Sequence, residues 1–145
     1  MNIHFEIDAR MGVGPILFGM TQADVHKLLG EPDWFDSSRE EYLQGFIIRY
    51  DEAQLVEFIE LAKSELFSAT FRGKNLHALI AEEAISFMSQ FDRFDENDVE
   101  LGYSYIFPML DLSLWRSTIP DSGSDPDGQY FEAIGLGKEG YFTPK

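Results

Sequence analysis

The sequence predicts an α+β fold of two tandem helix-plus-antiparallel-meander repeats, drawn into one continuous sheet with the helices on one face. Three observations carry that expectation. A capped helix follows a strand-like run within Gly12 to Pro32, apolar residues alternate at a period of two over much of the remaining chain, and the order helix, strand, strand, strand occurs twice. The first occurrence covers about 12–62 and the second about 66–142, so residues 1–145 read as a single domain.

Ile3, Phe5 and Ile7 alternate with Asn2, His4, Glu6 and Asp8, the pattern of a half-buried strand. Pro15 to Phe18 is apolar and short enough for another. Thr21 is a good N-cap, because its hydroxyl can accept from the open N–H groups of the first turn, and Asp24 three residues on can return that bond to Thr21. Met20 and Val25 are spaced to clamp the start of the helix from outside. Val25, Leu28 and Leu29 form its buried stripe, and Gly30 with Pro32 ends it. Asp36 to Glu41 reads as an exposed connection. Tyr42–Leu43, the turn at Gln44–Gly45, Phe46 to Tyr50, the turn at Asp51–Glu52 and Leu55 to Leu61 then make a meander.

The second half repeats this order. Leu66 to Phe71 is a strand, Arg72 to Lys74 a turn, and Asn75 the cap of a longer helix ending near Phe91, whose stripe is Leu76, Ile80, Ala84, Phe87, Met88 and Phe91. Tyr103 to Phe107 and Asp111 to Arg116 alternate as a hairpin about Pro108–Met109. Asp121 to Gln129 is a loop, and Tyr130 to Leu136 closes the sheet.

Composition excludes several function classes. The chain has no cysteine, which removes disulfides, thiolate metal sites and cysteine nucleophiles. Acidic side chains number 26 against 11 basic ones, a net charge of −15, which argues against nucleic-acid backbones and anionic membranes and suits a basic partner or simple solvation. The opening MNIHFEIDAR shows no basic segment leading into an apolar stretch, so a cytoplasmic location is the expectation.

Motifs for chemistry are weak. His4, His26 and His77 lack ligand spacing. Gly12–Val13–Gly14–Pro15 lacks the Lys-Ser/Thr pair of a phosphate loop. The loop from Asp121 with Glu132 in twelfth place departs from a calcium loop at Gly123, where an oxygen donor belongs, and at Pro126, where a glycine belongs. Glu82 and Glu83 diverge by about 100° on a helix, and Asp92, Asp95, Glu96 and Asp98 form a charged loop. The composition implies no cofactor or metal, and an enzyme using acidic residues stands as the alternative from another class.

Phe18–Gly19–Met20–Thr21, Val25, Leu29–Gly30 and Pro32 resemble the signature of the SmpA/OmlA, or BamE-like, family, whose unit is a capped helix leading into a short antiparallel sheet. The outer-membrane role of that family is not carried over, since its signal peptide and lipidation cysteine have no counterpart here. Doubled, the unit resembles the fold of the beta-lactamase inhibitor protein, in which two repeats form one concave gripping surface. Leu112 to Arg116 with Tyr130 to Phe142 is similar to acidic immunity proteins of bacterial polymorphic toxin systems. These resemblances imply a non-enzymatic protein-binding module, most specifically an immunity protein neutralising a basic toxin or nuclease domain, or else an inhibitor or assembly adaptor. The expected interface is Trp115, Tyr103, Tyr105 and Tyr130 with Asp111, Asp121, Asp125, Asp127 and Glu132. Alternation puts Trp115 opposite Leu112 and Leu114, with Arg116 on the polar rim if that face is open; core burial remains the commoner place for Trp115 and still more for the tyrosines, the patch being the alternative.

Overall fold

The structure is a computed structural model that describes residues 2–143. It is an α+β fold of two helices and two sheets. The opening strand β1 (Ile3–Asp8) turns into the two-residue strands β2 (Gly12–Val13) and β3 (Ile16–Leu17), and α1 (Gln22–Leu29) follows. Its start is closed on both sides: Thr21 Oγ1 accepts from Asp24 N at 3.2 Å, and Asp24 Oδ2 accepts from Thr21 N at 3.3 Å. Such a cap is worth about 1 kcal/mol. Val25 is fully buried, and Gly30, at φ 84, ends the helix in a conformation that a side chain resists.

Strand β4 (Trp34–Phe35) follows, and of the expected exposed connection Asp36 to Glu41 only the first three residues remain one: Arg39, Glu40 and Glu41 belong to strand β5 (Arg39–Tyr42), with Glu40 3% exposed. Strands β6 (Phe46–Tyr50) and β7 (Val56–Ala62) complete the first meander, with β8 (Phe67–Phe71) next. The second helix, α2, covers only Ala81–Met88. Asn75 does not cap it. Its Oδ1 accepts from His77 N in a local turn, and Ile80 is held extended in a bridge to Tyr130, so the helix cannot begin earlier. Strands β9 (Ser104–Phe107), β10 (Leu112–Trp115) and β11 (Ala133–Gly137) follow. The closing strand therefore starts at Ala133 rather than Tyr130.

One continuous sheet is not what forms. Strand β8, expected alongside the second meander, pairs in parallel with β1, Ile3 opposite Phe67 through Ile7 opposite Phe71, in a four-stranded sheet of order β3-β2-β1-β8. Burial explains the choice: Phe5 and Ile7 line up with Phe67, Ala69 and Phe71 in one buried stripe, while His4, Glu6, Ser68 and Thr70 share the polar side. The other strands form an antiparallel sheet of order β4-β5-β6-β7-β11-β10-β9.

Register assigns the faces of this large sheet, because directly paired residues point the same way. The inner face carries Tyr42, Phe46, Ile48, Ile59, Leu61, Ile134, Leu136, Leu112, Leu114 and Phe107, all buried. Phe46 meets Phe5 at 5.2 Å and Phe67 at 5.7 Å between ring centroids, which fastens the small sheet to the large one. Each fully buried ring adds roughly 2–3 kcal/mol. Glu40 also points inward. Its carboxylate accepts from Tyr50 Oη at 2.6 Å and Tyr42 Oη at 3.0 Å, and lies 2.7 Å from His26 Nε2 on α1. Burial, then the hydrogen bond to this carboxylate, pushes both phenols above the ordinary tyrosine range.

Candidate functional site

The outer face of the large sheet is built from the alternate residues of the same strands. One row crosses all seven strands: Trp34, Glu41, Ile47, Glu60, Gly135, Ser113 and Ile106. A second row runs Trp115, Ala133 and Ala62. Gly135, Ser113, Ala133 and Ala62 make the face low beside Trp115, whereas Glu41, Ile47 and Glu60 lie between them and Trp34; Trp34 is 49% and Trp115 41% exposed. Gly135 is required by close approach, since a Cβ there would sit 2.5 Å from Ser113 Oγ and 2.8 Å from the Phe58 ring. Trp115, Ala133, Ala62, Glu60 and Glu132 line a shallow hollow of about 500 Å³.

Residues 138–143 fold back as a strap over one side of this face. Tyr141 stacks on Phe58 at 4.8 Å, with the planes 22° apart, and Phe142 meets Phe58 edge-on. Gly137 makes room for the Tyr141 ring, which a Cβ would strike. Burial raises the Tyr141 phenol above its ordinary range, and the Glu57 and Glu60 carboxylates add to that against the opposing Arg49. Asp111 holds the strap. Its carboxylate accepts from Gly140 N at 2.9 Å and Phe142 N at 3.0 Å, and from Arg10 Nε at 2.9 Å.

This geometry corrects part of the expected interface. Asp111 is fully buried at φ 49 and offers nothing to a partner. Tyr105 lies on the inner face opposite Leu114, packed edge-on against Phe94 and Phe131. Arg116 is 7% exposed rather than a rim residue: Nε donates to Gly102 O and Nη1 to Gly128 O, both at 2.8 Å, with the guanidinium over Phe131. It ties two loops together. Trp115 does lie opposite Leu112 and Leu114 and joins Glu132 in the hollow.

Glu132 accepts from the Ser117 N–H and hydroxyl and also borders a second depression with Tyr130, Asp127, Lys63 and Ser117. Lys63 Nζ stands 5.8 Å from the Tyr130 ring centre. Tyr103 is exposed, with its carbonyl accepting from Arg116 N. Asp121 and Asp127 are exposed, whereas Asp125 accepts from the N–H groups of both, and those bonds hold its carboxyl below the usual range. The loop is thus a self-capped turn. Trp34, Arg39, Phe58 and Tyr141 belong to the outer face but were not expected there; the opposition of Trp34 to Glu41 was the signal, and it needs the register of β4 to be read.

Other groupings show less chemistry. Asp51, Glu52 and Glu57 gather beside Lys138, yet Asp51 is engaged by the Ala53 and Leu55 N–H groups and by Lys138 at 3.5 Å, with its carboxyl below the usual range from the Leu55 bond first. Among the described residues no three His, Asp or Glu side chains group as metal ligands, and no helix is long and apolar enough to cross a membrane. Comparison with protein-family models, curated proteins and solved structures gives no match, so the functional reading rests on the molecule's own surface.

Proposed function

We propose that this chain is a non-enzymatic, cytoplasmic protein-binding module, most specifically an immunity protein that sequesters a cationic bacterial toxin. One observation carries the reading: the outer face of the large sheet bears two half-exposed tryptophans, Trp115 beside a shallow hollow floored by Ala62 and Ala133 and Trp34 on the edge strand, on a chain of net charge −15. Aromatic anchors at such a face supply affinity, and the charge speeds capture of a basic partner. The tandem-repeat reading belongs with it. The meanders β5-β6-β7 and β11-β10-β9 stand on either side of the β7·β11 seam, an order that fits two helix-plus-meander units joined through their last strands.

A toxin-like reading frame beside this one is the expected genomic context, and the test is co-production of the two proteins. We expect suppression of toxicity and a stoichiometric complex, and Trp34→Ala with Trp115→Ala weakens that complex by about thirtyfold. A toxin whose growth defect is unchanged and which forms no complex overturns the reading.

A further inference from the structure

We propose that Arg39 and Arg49 form a receptor for a single carboxylate presented by the partner protein. The β5·β6 register sets these two side chains directly opposite each other on the outer face, a like-charge pairing that disfavours the sheet when nothing stands between the charges. The ion pairs among the described residues use other side chains, so no carboxylate of the described residues lies within ion-pair distance of either guanidinium. Scarcity of acid is not the reason, since the chain has 26 acidic residues. Arg39 also has a buried Nε with no acceptor, the kind of unmet donor that folded proteins rarely leave. Its guanidinium lies 5.6 Å from the centre of the exposed Trp34 ring, which holds the planar group in place. Arg39 is thus held in place beside a second cation, Arg49, on the exposed face.

Its surroundings select the occupant. Glu41 neighbours Arg39 on the same face, and Glu57, Glu60 and Arg49 all lie close enough to the Tyr141 hydroxyl to be felt there, the carboxylates opposing the arginine. A dianionic phosphate would meet those carboxylates, whereas a monoanionic carboxylate can bridge the two forks. The proposal rests on the outer face being the docking surface. It adds a register key: a partner that is basic overall places one Asp or Glu between Arg39 and Arg49.

The experiment follows the arginine Nε–H signals of the labelled full chain during titration with N-acetyl-glutamate amide, its glutamine analogue, inorganic phosphate and chloride at equal ionic strength. We expect a saturating shift of the Arg39 signal with the glutamate compound alone, weakened about fivefold in Arg49→Gln. A second variant, Arg49→Glu, supplies the missing acceptor from within, raises Tm by about 2–4 °C and abolishes the response. Equal shifts with the glutamine analogue or chloride, tighter saturation by phosphate, or an unchanged or lower Tm in Arg49→Glu overturns the proposal. Because the titration needs no partner protein, its failure and the failure of toxin neutralisation are separate results.

Discussion

Two buried carboxylates, one in each half of the chain, are satisfied in opposite ways. Glu40 is met by side chains: two phenols, a histidine and Gln22 at 3.5 Å. Asp111 is met mostly by main chain, the N–H groups of Gly140 and Phe142, with Arg10 as its one side-chain partner. The first joins α1 to a neighbouring strand and works among groups that can rotate to other acceptors. The second fixes a segment of backbone that has no substitute acceptor, and does so from a left-handed conformation at φ 49. A carboxylate wired to backbone is therefore the harder one to replace.

Removing Asp111 tests the stronger half of that contrast. Asp111→Ala strands two N–H groups and adds left-handed strain, so urea unfolding should show a loss of about 3–4 kcal/mol, with the Phe58 and Tyr141 signals changed as the strap comes away. A loss below that of the Glu40 variant would reverse the ranking. Glu40→Ala strands the Tyr42 and Tyr50 hydroxyls and should cost about 2–3 kcal/mol. Adding Tyr50→Phe to it should recover part of the loss, because a missing donor costs less than an unmet one; strict additivity of the two changes would show that Glu40 and Tyr50 do not act together.

The smallest effect concerns His77, which is buried with Nε2 2.9 Å from Leu61 O. Burial lowers its pKa from 6.5, and Lys63 lowers it further, while the Leu61 and Glu132 carbonyls oppose both. The unfolded chain then binds the proton more readily than the folded one, so this contribution is complete above about pH 6.5 and is lost as pH falls below that value. Thermal melts between pH 7 and pH 5 should show a shallower decline for His77→Gln, and parallel declines would remove His77 from the account.

Local features of the fold were legible. Thr21, Asp24, Gly30 and Pro32 announce α1 because every group they bond lies within a few residues. Trp115 could be oriented from the alternation of Leu112 and Leu114 alone. Where the sequence misled, the partner was distant. Glu40 sits in a polar run and becomes buried only because Tyr50 and His26 converge on it, and Asp111 looks like an exposed turn residue until Arg10 and residues 140–142 arrive. Ile80 belongs to a helical stripe by spacing, yet its bridge to Tyr130 removes the first turns of that helix. The arginine pair has no signature at all before the β5·β6 register is known.

The seam between β7 and β11 also sets a timetable for assembly. Ala62 pairs with Ala133 and Phe58 with Gly137, contacts that span 71 and 79 residues, while β1 waits for β8 across sixty-four. Such separations make loop closure the slow step. On the ribosome, β5-β6-β7 can pair as soon as it emerges, but its Phe58 side stays without a neighbouring strand until Gly137 has been made. For that interval the exposed edge of β7 is the part of the nascent molecule most open to mispairing.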